Sequence, residues 1–341
     1  MRNFLRLHPR VRFPLPFGSY DVLTGRRLIC PVYHVVSDEP LPHIEYLYRY
    51  RGIRLFEDDL DFMLRFFEPI DAQTLYHLIM NGENPHRNML FLSFDDGFRE
   101  VYEIAAPILH RKGVPATLFI TTSLLDNRSM MYRHKASLLI GLLNEGNFSA
   151  ACKEEIRKFL ASAGVKGSEK TTDLRLVPYS KSAVLDAIAE ILEFDFSLYL
   201  REHRPYLETG QVQELQAKGF TVGSHSVDHP EFSAIEPFER IRQMVESLTE
   251  IQNRFSPPLR LFSFPFTDHG VPKTFFETIF RSGDSLVDLT FGCAGLKRDS
   301  IRRNIQRIPM ESCTLQARDI LTAEYTASII RAMVGKDCIR R

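Results

Sequence analysis

The feature that most constrains this chain is the run Phe91-Leu92-Ser93-Phe94-Asp95-Asp96-Gly97-Phe98. An apolar stretch from Met89 to Phe94 delivers two adjacent carboxylates and then breaks at a glycine. Such a run reads as a buried strand whose C-terminal end carries Asp95 and Asp96 out of a sheet, with Gly97 turning the chain away. From Arg99 to Lys112 the residues Val101, Ile104, Ala105, Ile108 and Leu109 follow helical spacing, so the unit is strand, acidic turn, helix. In α/β folds chemistry collects at the C-terminal ends of the strands. Neighbouring carboxylates repel unless a cation or a proton sits between them, so the pair asks for one or the other. Asp-Asp-Gly is also ordinary turn chemistry, and the rest of the chain has to decide between these readings.

A second constellation lies far downstream, in Gly219-Phe220-Thr221-Val222-Gly223-Ser224-His225-Ser226-Val227-Asp228-His229-Pro230. Another short apolar strand ends there in a small-residue turn, followed by histidines at i and i+4. On one helical turn both imidazoles would share a side, a spacing suited to chelating one divalent ion. Either histidine alone would read as an ordinary surface or core residue. The pair at a strand end, like the aspartates, is a stronger signal.

Together these residues resemble the polysaccharide deacetylases, the NodB-homology carbohydrate esterases. Ser93–Phe98 and His225–His229 look like the first two motifs of that family. The resemblance implies a distorted (β/α) barrel, with Asp95 as catalytic base and Asp96, His225 and His229 as metal ligands. The third motif corresponds to Ser263-Phe264-Pro265-Phe266, with a serine where the family carries an arginine. By analogy, Pro265 and the backbone N–H of Phe266 are assigned to the substrate and its oxyanion. The late Leu-x-His motif is missing, because no histidine follows His269. The resemblance spans roughly residues 29 to 310, with a long interruption.

Composition sets the class. The 341 residues are 44% hydrophobic, enough for a large core, and the formal net charge is zero with a pI near 7.2, so no global field favours nucleic acid. Five cysteines, Cys30, Cys152, Cys293, Cys313 and Cys338, show no paired spacing and read as reduced thiols. No apolar run reaches the length of a membrane span and no signal-peptide core follows Met1. The expected location is the cytoplasm.

Residues 1–28, rich in arginine, proline and aromatics, read as an arm packed in extended form along the body, since its prolines oppose a membrane-binding helix. Strand and helix patterns alternate over 29–122 and again over 210–341, which predicts a mostly parallel sheet closed into a barrel. From 123 to 209 the strand rhythm stops and three helical patterns take over. This segment is expected to be a helical insertion that walls the cleft or mediates dimerisation.

Mechanism follows from the constellation. One carboxylate and two imidazoles leave open positions on a divalent ion, as catalysis requires; zinc is the first choice, and Co2+, Ni2+ or Fe2+ suit the same ligands. The expected reaction is removal of an acetyl group from an N-acetylated sugar or glycan precursor. Expulsion of the amine needs a proton donor, and the usual late histidine has no counterpart. Either Asp95 returns the proton itself or another group acts; of the strand-end histidines His34 and His269, His34 is favoured as acid or substrate contact, because a barrel brings its first and last strands together. Arg307, on the last strand, orients substrate or forms a structural ion pair. Two other readings compete: hydrolysis of a small non-sugar amide, and a carbohydrate-binding pseudoenzyme suggested by the missing arginine and histidine.

Overall fold

The computed structural model describes residues 15–146, 148–167, 173–311 and 315–341. Eight short parallel strands make the central sheet: β1 (Pro31–Tyr33), β2 (Leu92–Phe94), β3 (Ala116–Ile120), β4 (Thr221–Ser224), β5 (Leu261–Ser263), β6 (Leu289–Gly292), β7 (Asn304–Gln306) and β8 (Ile308–Pro309). Around the sheet the order is β7-β6-β5-β4-β3-β2-β1-β8, so each strand from β1 to β7 lies beside its sequence neighbour. The apolar run Ala116–Ile120 is buried at every position, as a parallel strand covered on both faces must be.

The closure has an unusual form. Sequence patterning places one last strand over Ile305–Pro309, but the segment divides at Arg307. Its first part pairs with β6 (Gln306 opposite Gly292) and its second with β1 (Ile308 opposite Pro31). A single stretch of chain therefore bridges both edges of the sheet and makes a nearly closed barrel. The first strand and the acidic strand bend in a similar way: Leu28–Ile29 and Met89–Leu90 pair with each other in a small outer sheet before the chain enters β1 and β2.

Phenylalanines fill the barrel floor. The rings of Phe91 and Phe291 stack with centroids 5.3 Å apart, and Phe119 stands 4.9 Å from Phe291. Gly223 lets the Phe119 ring through, because a Cβ there would come within 2.8 Å of two of its ring carbons. Helices pack outside, among them Ile53–Leu64, Pro237–Phe255 and Ala317–Met333.

Between β3 and β4, which pair directly, the chain runs from 121 to 220 and contains the helices Tyr132–Glu145, Ala150–Ser162, Ala183–Ile191 and Phe196–His203. The last of these was not legible as a helix. For the N-terminal arm, residues 1–14 lie outside the described residues. Further on, the chain is not extended: a 3-10 turn at Phe17–Ser19 leads into the helix Tyr20–Thr24. Phe17 and Tyr20, three residues apart, share one helical face, and the Phe17 ring meets Phe62 and Phe66 with centroids 4.9 Å away in each case.

Candidate metal centre

The C-terminal ends of β2 and β4 bring the two motifs together. After Phe94 the chain turns sharply: Gly97 N–H donates to Asp95 O at 2.9 Å, and Asp96 adopts a left-handed φ of 71°. That turn aims the two carboxylates differently. The histidines do not sit on a helical turn, contrary to the i, i+4 expectation. Residues 225–229 form an irregular loop in which Ser226 (φ 73°) and His229 (φ 65°) are both left-handed. The loop is held by Gln243, whose side-chain oxygen accepts from Val227 N–H at 3.0 Å, and by Ser226 Oγ, which accepts from His229 N–H at 3.0 Å. Left-handed non-glycine residues cost energy and cluster at functional sites.

The loop still brings the imidazoles together. His225 Nε2 and His229 Nε2 are 3.2 Å apart, and Asp96 Oδ1 lies 3.5 Å from the first and 3.2 Å from the second. All three ligand atoms fall within 4.8 Å of one another, and all three residues are buried. His225 Nδ1 lies 2.9 Å from Ser263 O. A carbonyl can only accept, so that nitrogen carries the proton and Nε2 presents its lone pair to the cluster. Burial lowers the His225 pKa to about 4, which keeps the ring neutral, as a ligand must be. Asp96 Oδ1 is buried and has no hydrogen-bond partner among the described residues. One carboxylate oxygen without a donor and two converging imidazole nitrogens, that of His225 with its lone pair turned inward, fit a single divalent cation with open positions.

Asp95 is held separately. Arg307 donates to it bidentately, Nη1 to Oδ1 at 2.7 Å and Nη2 to Oδ2 at 2.6 Å. The same guanidinium donates to Ser93 Oγ (3.0 Å), Ser263 Oγ (2.6 Å) and Gly292 O (3.3 Å). Those contacts use all five of its N–H groups. Arg307 is 1% exposed, so it stands behind Asp95 and has no donor left for the substrate contact expected from sequence. Burial works to raise the Asp95 pKa, but the Arg307 charge, with help from His225, outweighs it and holds the carboxyl below its ordinary value.

His34 lies at the end of β1, and its Nδ1 is 2.5 Å from Glu311 Oε2. The Glu311 carboxylate also accepts the backbone N–H groups of His34 (2.9 and 3.0 Å) and Val35 (3.0 Å). Burial opposes protonation of the ring, yet Glu311 outweighs it and raises the pKa to about 9, with smaller contributions from Asp96 and Asp95. Tyr48 stands against His34, ring centroids 5.3 Å apart.

Pro265 is buried, whereas Phe266 is 42% exposed, left-handed (φ 57°), and meets the His229 ring edge-on at 4.5 Å. Its loop is anchored by buried Asp268, the residue before His269. That carboxylate accepts from Asn304 Nδ2 (2.7 Å), Gln306 Nε2 (2.6 Å) and the Arg341 guanidinium. His269 itself is exposed.

A family model described as polysaccharide deacetylase matches residues 82–274. The chain belongs to the polysaccharide deacetylase family. Its members are hydrolases that take acetyl groups off sugar polymers. A search of curated proteins gives no match. Among solved structures, the chain is similar to the Streptococcus pyogenes deacetylase PplD in complex with acetate (TM-score 0.54, 13% identity, covering 88% of this chain and 98% of that one). It is also similar to IcaB from Ammonifex degensii (0.53, 15%, 89% and 98%) and to a de-N-acetylase from Aggregatibacter actinomycetemcomitans (0.53, 14%, 87% and 100%). At such low identity these likenesses establish the barrel fold of the deacetylases. Among the described residues no helix is long and apolar enough to cross a membrane.

Sequence reasoning missed three residues packed against the motif residues: Glu311 and Tyr48 against His34, and His134 against Phe98. Glu311 follows the last strand outside any motif, and its only signal was an acidic residue at a barrel strand end. Tyr48 belongs to a loop rich in tyrosines. His134 comes from the segment between β3 and β4, where a histidine in a helical pattern carries no signal.

Proposed function

We propose that this chain is a metal-dependent hydrolase that removes acetyl groups from an N-acetylated sugar or glycan precursor. The observation that carries the reading is the buried convergence of Asp96, His225 and His229 beside a carboxylate, Asp95, that Arg307 keeps ionised. Asp96, His225 and His229 would hold one divalent ion, zinc first, with Co2+, Ni2+ or Fe2+ compatible with the same donors. Bound there, the ion supplies Lewis acidity, lowering the pKa of a water and polarising an acyl oxygen.

Asp95 is the general base. Its Oδ2, 3.7 Å from His225 Nε2, faces the ligand set and takes the proton of the attacking water. Arg307 and Ser263 are positioning residues for that carboxylate. Ser263 stands where the family motif has arginine, and the guanidinium arrives instead from the seam between β7 and β8. This supports an active enzyme over a pseudoenzyme, because the charge beside the base is supplied from another strand. His34 is the acid: Glu311 engages Nδ1 and leaves Nε2 to hand a proton to the departing nitrogen. The N–H of Phe266, on a strained turn against His229, is aimed at the oxyanion, with Pro265 fixing the turn. Unpaired cysteine spacing supports a cytoplasmic precursor as substrate.

The reading is tested by stripping the protein with chelator, reloading it with zinc, and following acetate release from chitooligosaccharides. Release that stops on stripping and returns at one ion per chain is expected. A protein that holds no stoichiometric ion, or releases no acetate once loaded, overturns the proposal, and breakdown of small amides alone replaces its substrate.

A further inference from the structure

The loop 225–229 is tied down by residues that are not ligands themselves. Gln243, on the helix Pro237–Phe255, is buried, and its side-chain oxygen accepts from the backbone N–H groups of Val227 (3.0 Å) and Asp228 (3.3 Å). Two backbone donors on one atom fix which end of the amide is the oxygen. Nε2 is left to donate to Asp228 Oδ1 at 2.6 Å and to Glu239 Oε1 at 2.9 Å. The other oxygen of the same carboxylate, Asp228 Oδ2, accepts the hydroxyl of Tyr179 at 2.8 Å. The direction is unambiguous, because an ionised carboxylate only accepts.

Tyr179 belongs to the chain between β3 and β4. It opens the 3-10 turn Tyr179–Lys181 and stands edge-on against Tyr132 of the helix Tyr132–Glu145, ring centroids 5.8 Å apart. The start of the same chain reaches the loop through its backbone. Thr122 N–H donates to Ser226 O at 3.1 Å, and Ser123 N–H to Val227 O at 2.8 Å. The residue after Asp228 is His229, at a left-handed φ of 65°. A non-glycine residue stays in that region only where its surroundings over-determine it. The backbone N–H of His229 is spent inside the loop, on Ser226 Oγ at 3.0 Å. The ties that reach outside run through the residues just before it, and the Asp228 carboxylate carries one to Gln243 and one to Tyr179.

We propose that Tyr179 is a positioning residue of the metal centre. Its hydrogen bond to Asp228 holds the loop in the conformation that brings His229 to His225 and Asp96, so the chain between β3 and β4 sets metal affinity without supplying a ligand. This rests on the metal site proposed above. A loop already in place costs the ion nothing to order, and removing a tie transfers that cost to binding.

The test measures zinc affinity of the full chain by competition with a chromophoric chelator. Tyr179→Phe keeps the ring against Tyr132 and removes only the hydroxyl. It is expected to weaken zinc binding about 3- to 10-fold, less than the roughly 10- to 100-fold for losing a group bonded directly to a ligand. Asp228→Ala removes the acceptor, and adding Tyr179→Phe to it should change zinc affinity no further. Equal factors for Tyr179→Phe with and without Asp228 would show that the tyrosine acts by another route, and overturn the inference. Zinc affinity unchanged by Tyr179→Phe, even with a lower urea midpoint for the metal-free protein, would mean a merely structural role and overturn it too, leaving the proposed function standing. A parent protein that binds no stoichiometric zinc overturns both.

Discussion

Replacing Arg307 by methionine tests the pairing at the centre of the site. The guanidinium is 1% exposed and makes five hydrogen bonds, two of them to Asp95. Methionine fills much of the volume but leaves a buried carboxylate and two serine hydroxyls without their donor. Removing one partner of a buried ion pair costs about 3–5 kcal/mol, a large share of a total stability of roughly 5–15 kcal/mol. In urea, with chelator present to remove any bound ion, the midpoint should fall by about 1–1.7 M for a slope near 3 kcal/mol/M. Most of that cost is the stranded Asp95 charge, so adding Asp95→Asn to Arg307→Met should recover stability. The sign with pH follows. Asp95 is held below its ordinary pKa in the native protein, so its contribution is present above about pH 4 and lost as pH falls. Without Arg307, burial is left to push the carboxyl up, and the gap between the two proteins should narrow in acid. If the double variant shows the plain sum of the two single losses, within about 0.5 kcal/mol, the residues are not coupled and the positioning argument fails.

Three further outcomes are expected. Asp95→Asn should keep its metal, measured by elemental analysis, while turnover drops on the order of 10²–10⁴-fold; near-normal activity in the loaded variant would exclude it as the base. Glu311 raises His34 to about 9, so their pairing stabilises the fold fully below about pH 6.5 and is lost as pH rises through 9. Glu311→Gln should flatten that part of the stability profile in urea titrations from pH 6 to 9.5, and an unchanged profile would dissolve the pair. Gly223→Ala should cost about 1–3 kcal/mol by forcing a methyl against the Phe119 ring and the Leu261 carbonyl oxygen; a thermal midpoint equal to that of the parent would show slack at the barrel floor.

The barrel was legible because its strands are continuous apolar runs with chemistry at their ends; Ala116–Ile120 and Leu92–Phe94 could hardly be anything else. The division of Ile305–Pro309 was not, since nothing in a short apolar run says which edge each residue will pair with. The i, i+4 spacing of His225 and His229 pointed to convergence by way of a helical turn. The loop converges them differently, through left-handed Ser226 and His229, because spacing reports proximity along the chain and not the backbone path. Arg307 read as a substrate contact or an ion pair, and only the burial of all five donors separates the two. Glu311, Tyr48 and His134 were invisible for one reason: each takes its meaning from a neighbour far away in sequence, such as Tyr206 for His134.

The seam at Arg307 also has a consequence for the order in which the protein is made. A ribosome completes Asp95, Asp96 and both histidines well before it reaches residue 307. Until the split strand slots between β6 and β1, the barrel has an open gap and Asp95 has no counter-charge inside it. Closing around that carboxylate early would strand an unpaired charge in an apolar interior, so closure costs more before the latch arrives than with it. Topological closure and the pairing of Asp95 with its counter-charge become one event.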